Sequence, residues 1–165
     1  MKIKRLVYSA LIAAIYAALT YLIAPIAYGP IQFRISEIMV LLVLVDPFYI
    51  VGLTLGCFLA NLLGPYGFMD ITVGTLATFV AVVLMSGTIK IMKDSKLGII
   101  VASLWPTVIN GVFIGYMLYY VVQAPLLLTM FQVGVGEFVV VTVVGVPIYL
   151  YLKEKNIFKR LGYRV

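Results

Sequence analysis

ISEIMVLLVLVDPFYIVGLTLGCFLANLL, residues 35–63, is the stretch that decides how this chain folds. It is apolar almost throughout, yet Asp46-Pro47 interrupts it. Proline lacks a backbone N–H and clashes with the preceding turn, so a helix kinks or ends there. The stretch is therefore one kinked span or two short helices, residues 35–45 and 48–63. The flanking charges choose between them. Lys2, Lys4 and Arg5 open the chain, Lys90, Lys93 and Lys96 form a middle cluster, and Lys153, Lys155, Lys159, Arg160 and Arg164 close it. Of the 12 Lys and Arg residues, only Arg34 lies elsewhere. Basic residues collect on the cytoplasmic side of a bilayer. The three clusters then share that side, and the crossings between successive clusters are even in number. A single kinked span would break that parity, whereas two short helices keep it.

The rest of the chain supports a membrane setting. Its 165 residues are 64% hydrophobic and only 11% charged, with a mean hydropathy of +1.17. A soluble domain is roughly half apolar and a quarter charged, so this chain reads as an integral membrane protein. Crossing the hydrocarbon takes about 20 apolar residues in a helix, which places further spans at 6–24, 71–89, 97–121 and 126–152. Pro25 with Tyr28-Gly29-Pro30, and Gln123-Ala124-Pro125, supply the breaks. The apolar run 6–24 is longer than the ~7–15 residues of a signal-peptide core, so it is read as the first span. The expectation is an all-α membrane protein: one domain, 1–165, built as a six-transmembrane-helix bundle with both termini cytoplasmic. Residues 153–165 form a basic cytoplasmic tail, and loops 25–34, 64–70 and 122–126 face outside.

Composition also excludes chemistry. There is no histidine and one cysteine, Cys57. Imidazole acid/base catalysis, an internal disulfide and a Cys/His metal centre are ruled out. No G-x-x-x-x-G-K-[ST] phosphate loop occurs. No cofactor or metal is expected. The net charge of +6 reads as a topology signal touching anionic membrane lipid, not as a nucleic-acid face.

Small residues mark close helix contacts. Ala10, Ala14 and Ala18 recur at four-residue spacing, with Ala13 and Ala17 beside them. Such a stripe lets another helix approach closely, either within the bundle or from a partner. Gly52/Gly56 and Gly111/Gly115 read as internal packing pairs.

Polar groups inside a bundle are costly, so each is a candidate site residue. The topology gathers Arg34, Glu37, Asn61, Asp70, Asn110, Gln132 and Glu137 toward the outer half, with Trp105 deeper. Simpler roles exist for some. Arg34 and Glu37 sit at i, i+3 and would pair with each other. Asp70 would cap a helix starting at Ile71. Tyr116, Tyr119 and Tyr120 read as an interfacial belt. Asp46, expected at the cytoplasmic surface, is left out of the site. Glu137 has no basic residue between Lys96 and Lys153 to pair with, and a buried carboxylate needs a cation, donors or a proton. Three acids against Arg34 leave a surplus of negative charge, which suits a cationic, donor-rich ligand. Trp105 would stack on a flat ring.

Four segments carry a family resemblance: GPIQFRISE at 29–37, GCFLANLLGPYGFMDITVGTLAT at 56–78, WPTVING at 105–111, and GVGEFVVVTVVGVP at 134–147. With the alanine-rich first span, they make the chain resemble the QueT family of substrate-binding (S) components of energy-coupling factor (ECF) transporters. The resemblance implies six helices, an outward-opening cavity and capture of queuosine precursors such as 7-aminomethyl-7-deazaguanine (preQ1). It implies a transmembrane coupling protein and two cytoplasmic ATPases as partners, with Ala10, Ala14 and Ala18 meeting the coupling protein. One of Glu37 and Glu137 would accept the guanine-like edge while the other, or Asp70, meets the ammonium. Asn61, Asn110 and Gln132 would complete the hydrogen bonds, and Arg34 would orient a carboxylate or bond the ring carbonyl. An S component for another base or vitamin, a membrane enzyme using the three acids, and an internally paired structural bundle are the alternatives.

Overall fold

The structure is a computed structural model that describes residues 2–93 and 95–163; Arg164 of the third basic cluster lies outside them. Among the described residues every regular element is helical. Helix α1 runs Lys2–Leu22 and is followed by one short turn of helix, Ala24–Ala27. A 3₁₀ helix spans Ile35–Leu44, and α2 spans Tyr49–Leu62. Helix α3 covers Gly67–Met92, α4 Lys96–Val122 and α5 Leu126–Glu154. A final short helix is Ile157–Arg160. Four of these (α1, α3, α4 and α5) are long and apolar enough to cross a membrane, while the 3₁₀ helix and α2 are shorter apolar helices.

The break at Asp46-Pro47 produces two elements. Asp46 accepts the N–H of Phe48 on Oδ1 at 3.1 Å, which sets the turn between them. The 3₁₀ winding has a geometric consequence. Its ten residues extend about 20 Å at ~2.0 Å per residue, against about 15 Å if α-helical. A segment too short for an ordinary crossing is thereby stretched.

Contacts define two ends. At one, Arg5 Nε pairs with Asp46 Oδ2 at 2.6 Å, Lys4 Nζ donates to the Leu161 carbonyl at 2.7 Å, and the Tyr49 and Tyr163 hydroxyls bond each other. The start of α1, the Asp46 turn and the C-terminal segment therefore share this tail end. At the opposite, loop end, the Tyr66 hydroxyl donates to the Tyr28 carbonyl at 2.5 Å, and the Tyr28 hydroxyl to the Ala60 carbonyl at 2.6 Å.

One expectation changes. Asp46 is not an exposed charge: it is buried and closes on Arg5. Within the basic C-terminal stretch, Phe158 packs on Tyr149 with ring centroids 5.4 Å apart and the chain then returns to Lys4.

Glycine pairs set the tightest helix contacts. A Cβ at Gly52 would lie 2.5 Å from the Ser9 carbonyl oxygen, and one at Gly56 2.8 Å from Tyr16 Cβ. A Cβ at Gly115 would meet the Met130 backbone at 2.7 Å. Both pairs are internal: one joins α1 to α2, the other α4 to α5. The face of α1 used there is Ser9, Ala13 and Tyr16. Ala10, Ala14 and Ala18 lie on the opposite, exposed face beside Val7, Leu11 and Ile15.

The core between the helices centres on Tyr16, Leu53, Met85, Ile99 and Val141, all buried. Outside, Leu11, Val51, Phe79, Val112 and Phe131 are exposed. An apolar exterior of this kind suits lipid rather than water.

Candidate functional site

The polar residues singled out above separate into two bonded groups near the loop end. The first is Arg34, Asn61 and Asp70. Arg34 precedes the 3₁₀ helix, Asn61 lies in the last turn of α2, and Asp70 opens a π-helical segment, Asp70–Gly74, inside α3. The guanidinium donates from Nη1 to Asn61 Oδ1 at 3.2 Å and from Nε to the Ala27 carbonyl at 3.3 Å. Its Nη2 sits 3.6 Å from Asp70 Oδ1. Its flat face rests 5.0 Å from the Tyr28 ring centroid, a favourable cation–π distance. Asn61 donates to the Asp70 carbonyl at 3.0 Å and to Cys57 Sγ at 3.3 Å. A π segment displaces the regular hydrogen-bond ladder, and α2 takes up the carbonyl at its start.

Asp70 is therefore not a cap. The helix begins earlier, at Gly67, whose φ of +63° makes the tight entry. Asp70 falls inside, fully buried against the one cation of this region. Arg34 does not take Glu37 as its hydrogen-bonded partner, because Tyr16 of α1 does so and its hydroxyl donates to Glu37 Oε1.

The second group is two hydrogen-bonded pairs, Tyr16 with Glu37 and Asn110 with Glu137. Glu37 comes from the first turn of the 3₁₀ helix, Asn110 from mid α4, and Glu137 from α5 immediately before its own π segment, Phe138–Gly145. Asn110 Nδ2 donates to Glu137 Oε1 at 2.7 Å. Glu37 and Glu137 are only 1% and 3% exposed. Each holds one oxygen in a side-chain bond and leaves Oε2 without a hydrogen-bond partner; Asn110 Oδ1 is also unpartnered. Glu137 lies within Coulombic range of both Glu37 and Arg34. With Asp70 offset by Arg34, Glu37 and Glu137 are, among the described residues, the buried carboxyl groups of this region without an ion-paired cation. Two buried carboxylates facing one region suit a ligand that brings a positive charge and several N–H donors.

Other expected residues fall elsewhere. Trp105 donates its indole N–H to Thr88 Oγ1 at 2.8 Å, tying α4 to α3. Gln132 is half-buried and takes no part in either bonded group. Two residues were not read from the sequence at all. Tyr16 is one aromatic in an apolar helix, and its place between Ala13 and Ala17, on the inward face, is the available signal. Gln32 looked like a loop residue, although it opens the Gln32-Phe33-Arg34 run leading into the site.

The group is sealed from solvent, where an open cavity was expected. The chain after α1 folds back over it, with the Tyr28 ring against Arg34 and Tyr66 edge-on to Tyr28 at 6.4 Å between centroids. A hollow of about 390 Å³, lined by Ala24, Pro25, Tyr28, Leu63 and Pro65, lies on this cover.

The family model described as QueT transporter matches residues 6–154. The chain belongs to the QueT transporter family. A relative from Lactococcus lactis subsp. cremoris (strain MG1363), named queuosine precursor transporter QueT, is 29% identical over 144 residues, covering 78% of this chain and 80% of the relative. No solved structure matches. As a member of the QueT family the chain is a multi-pass membrane transporter protein and not an enzyme, and both bonded groups lie within the matched residues.

Proposed function

We propose that this chain is the substrate-capturing S component of an energy-coupling factor importer in a prokaryotic cytoplasmic membrane. It binds a queuosine precursor of the preQ1 type from outside the cell. The observation that carries the reading is the pair of buried glutamates, Glu37 and Glu137, each with one oxygen tied and one free. preQ1 is a flat ring with guanine-type N–H donors and an ammonium group. One glutamate accepts the N–H edge of the ring and the other meets the ammonium, with Asn110 Oδ1 accepting a further N–H. Charge-assisted bonds of this kind are the strong ones. Arg34, Asn61 and Asp70 hold the wall of the site. The name of the Lactococcus relative, a queuosine precursor transporter, supports the substrate class.

The reading includes six membrane spans with both ends in the cytoplasm. It is supported by the tail-end contacts, which gather Lys4, Arg5, the Asp46 turn and Leu161–Tyr163 at one end. Coupling to a transmembrane partner and two ATPases is supported by the outward face of Ala10, Ala14 and Ala18. Small residues on a lipid-facing helix let another helix come close.

Titrating the purified protein with preQ1 tests this. Saturable binding by the wild type, with a loss of about 100-fold or more in Glu137→Gln, is expected, because leaving a charge-assisted pair unmade costs several kcal/mol. Unchanged affinity in both Glu137→Gln and Glu37→Gln would remove these glutamates from the site.

A further inference from the structure

One buried donor is used by neither bonded group. Gln32 lies in the loop leading into the 3₁₀ helix, yet it is only 2% exposed, and its Nε2 has no hydrogen-bond partner. A loop residue so thoroughly covered directs its amide into the protein. Its backbone is held in an uncommon form, with φ at +52°, in the left-handed region that side chains other than glycine and asparagine seldom adopt. Two contacts hold it there: the Arg34 N–H donates to the Gln32 carbonyl at 2.8 Å, and the Gln32 N–H to the Gly29 carbonyl at 3.0 Å. Conformations of this kind persist only where surrounding contacts enforce them, and they gather at ligand clamps.

The neighbouring backbone fixes where this part of the loop meets α5. The Ile31 carbonyl presses directly on Gly136, where a Cβ would also meet the Ile31 side chain at 3.2 Å. Gly136 immediately precedes Glu137. Gln32 therefore follows directly on the residue that packs against α5 one position before Glu137, and precedes Arg34 by two. Besides the Arg34–Asp70 ion pair, whose Nη2 and carboxylate oxygens face each other without a hydrogen bond, the unpartnered atoms here include three acceptors, Glu37 Oε2, Glu137 Oε2 and Asn110 Oδ1, and the Gln32 donor. A 7-deazaguanine presents the complement: N–H donors on its edge and exocyclic groups, and one carbonyl oxygen at position 6. Arg34 Nη2 also lacks a hydrogen bond but faces Asp70 Oδ1 at 3.6 Å, so Gln32 Nε2 is the donor here that is not committed to an ion pair.

We infer that Gln32 is a specificity-determining residue that donates its side-chain N–H to the 6-oxo group of the bound ring, and so selects 6-oxo over 6-amino 7-deazapurines. The assignment rests on the ligand class proposed above. A site built around a buried donor rejects an analogue that places a second donor opposite it, because both groups are then left unpaired.

The test compares binding of preQ1 and of its 6-amino counterpart, 7-aminomethyl-7-deazaadenine, to the full-length protein. The wild type is expected to favour preQ1 at least ~100-fold. Gln32→Gly removes the amide while easing the left-handed backbone, so the fold is retained; it is expected to lose at least ~10-fold for preQ1 and most of the preference. Gln32→Glu replaces the amide donor with an acceptor, and is expected to shrink or invert the preference. If both variants keep the wild-type affinity and ratio, the role of Gln32 is overturned while capture by the two glutamates stands. If the wild type binds neither compound, the proposed function and this assignment fall together.

Discussion

Arg34 and Asp70 show how one residue's role depends on what surrounds it. Each is buried, and each would be prohibitively unstable alone in a bundle interior. Arg34 is held on three sides, by Asn61, the Ala27 carbonyl and the Tyr28 ring, with Asp70 on the fourth. Replacing it with methionine leaves Asp70 buried and unpaired, and is expected to lower unfolding stability by about 3–5 kcal/mol. The double change Arg34→Met, Asp70→Leu is expected to cost less than the sum of the two single changes, measured by denaturation in detergent. Additive losses would show that the pair is not coupled. Glu137 behaves oppositely: it has an amide partner and a free oxygen. Glu137→Gln is expected to keep the melting temperature of the unliganded protein within a few degrees while abolishing the ligand-induced rise.

At the scale of elements, the helices use their two kinds of small-residue stripe differently. Gly52 and Gly115 face in and leave no room for a side chain. Gly115→Val is expected to destabilise by about 1–3 kcal/mol through overpacking against Met130, or more if α4 and α5 must separate. Ala14 faces out. Ala14→Leu is expected to leave preQ1 binding and thermal stability unchanged while reducing co-purification with the coupling protein. A loss of ligand binding in that variant would mean the stripe serves the bundle itself. The π segments form a second theme. One begins at Asp70, and the other begins directly after Glu137. Each adjoins a buried carboxylate, and π distortions inside α-helices are frequent at functional sites.

For the whole molecule, ligand binding and topology are separately testable. A ligand that binds only the folded state stabilises it by about 2.7 kcal/mol at a hundredfold excess over Kd, so preQ1 is expected to raise the melting temperature of the whole bundle. Single-cysteine reporters in a Cys57→Ala background address the membrane arrangement. Lys93 and Lys155 are exposed at the ends of α3 and α5, and Phe68 and Leu127 at their starts. Impermeant thiol reagent applied outside cells is expected to label the latter two positions and spare the former. Labelling of Lys93→Cys from outside would break the six-span arrangement.

The membrane setting, the four long apolar helices and the break at Asp46-Pro47 were legible in the chain, because hydropathy, charge placement and proline act locally and need no partner. The family was legible too, through segments such as GPIQFRISE. Partnership was not. That Arg34 turns to Asp70 rather than to Glu37, that Tyr16 claims Glu37, that Trp105 bonds Thr88, and that Asp46 is buried against Arg5 depend on which helix faces come together. A hydrogen bond is set by a few ångströms and an angle between residues far apart in the chain, and only the packed helices supply those.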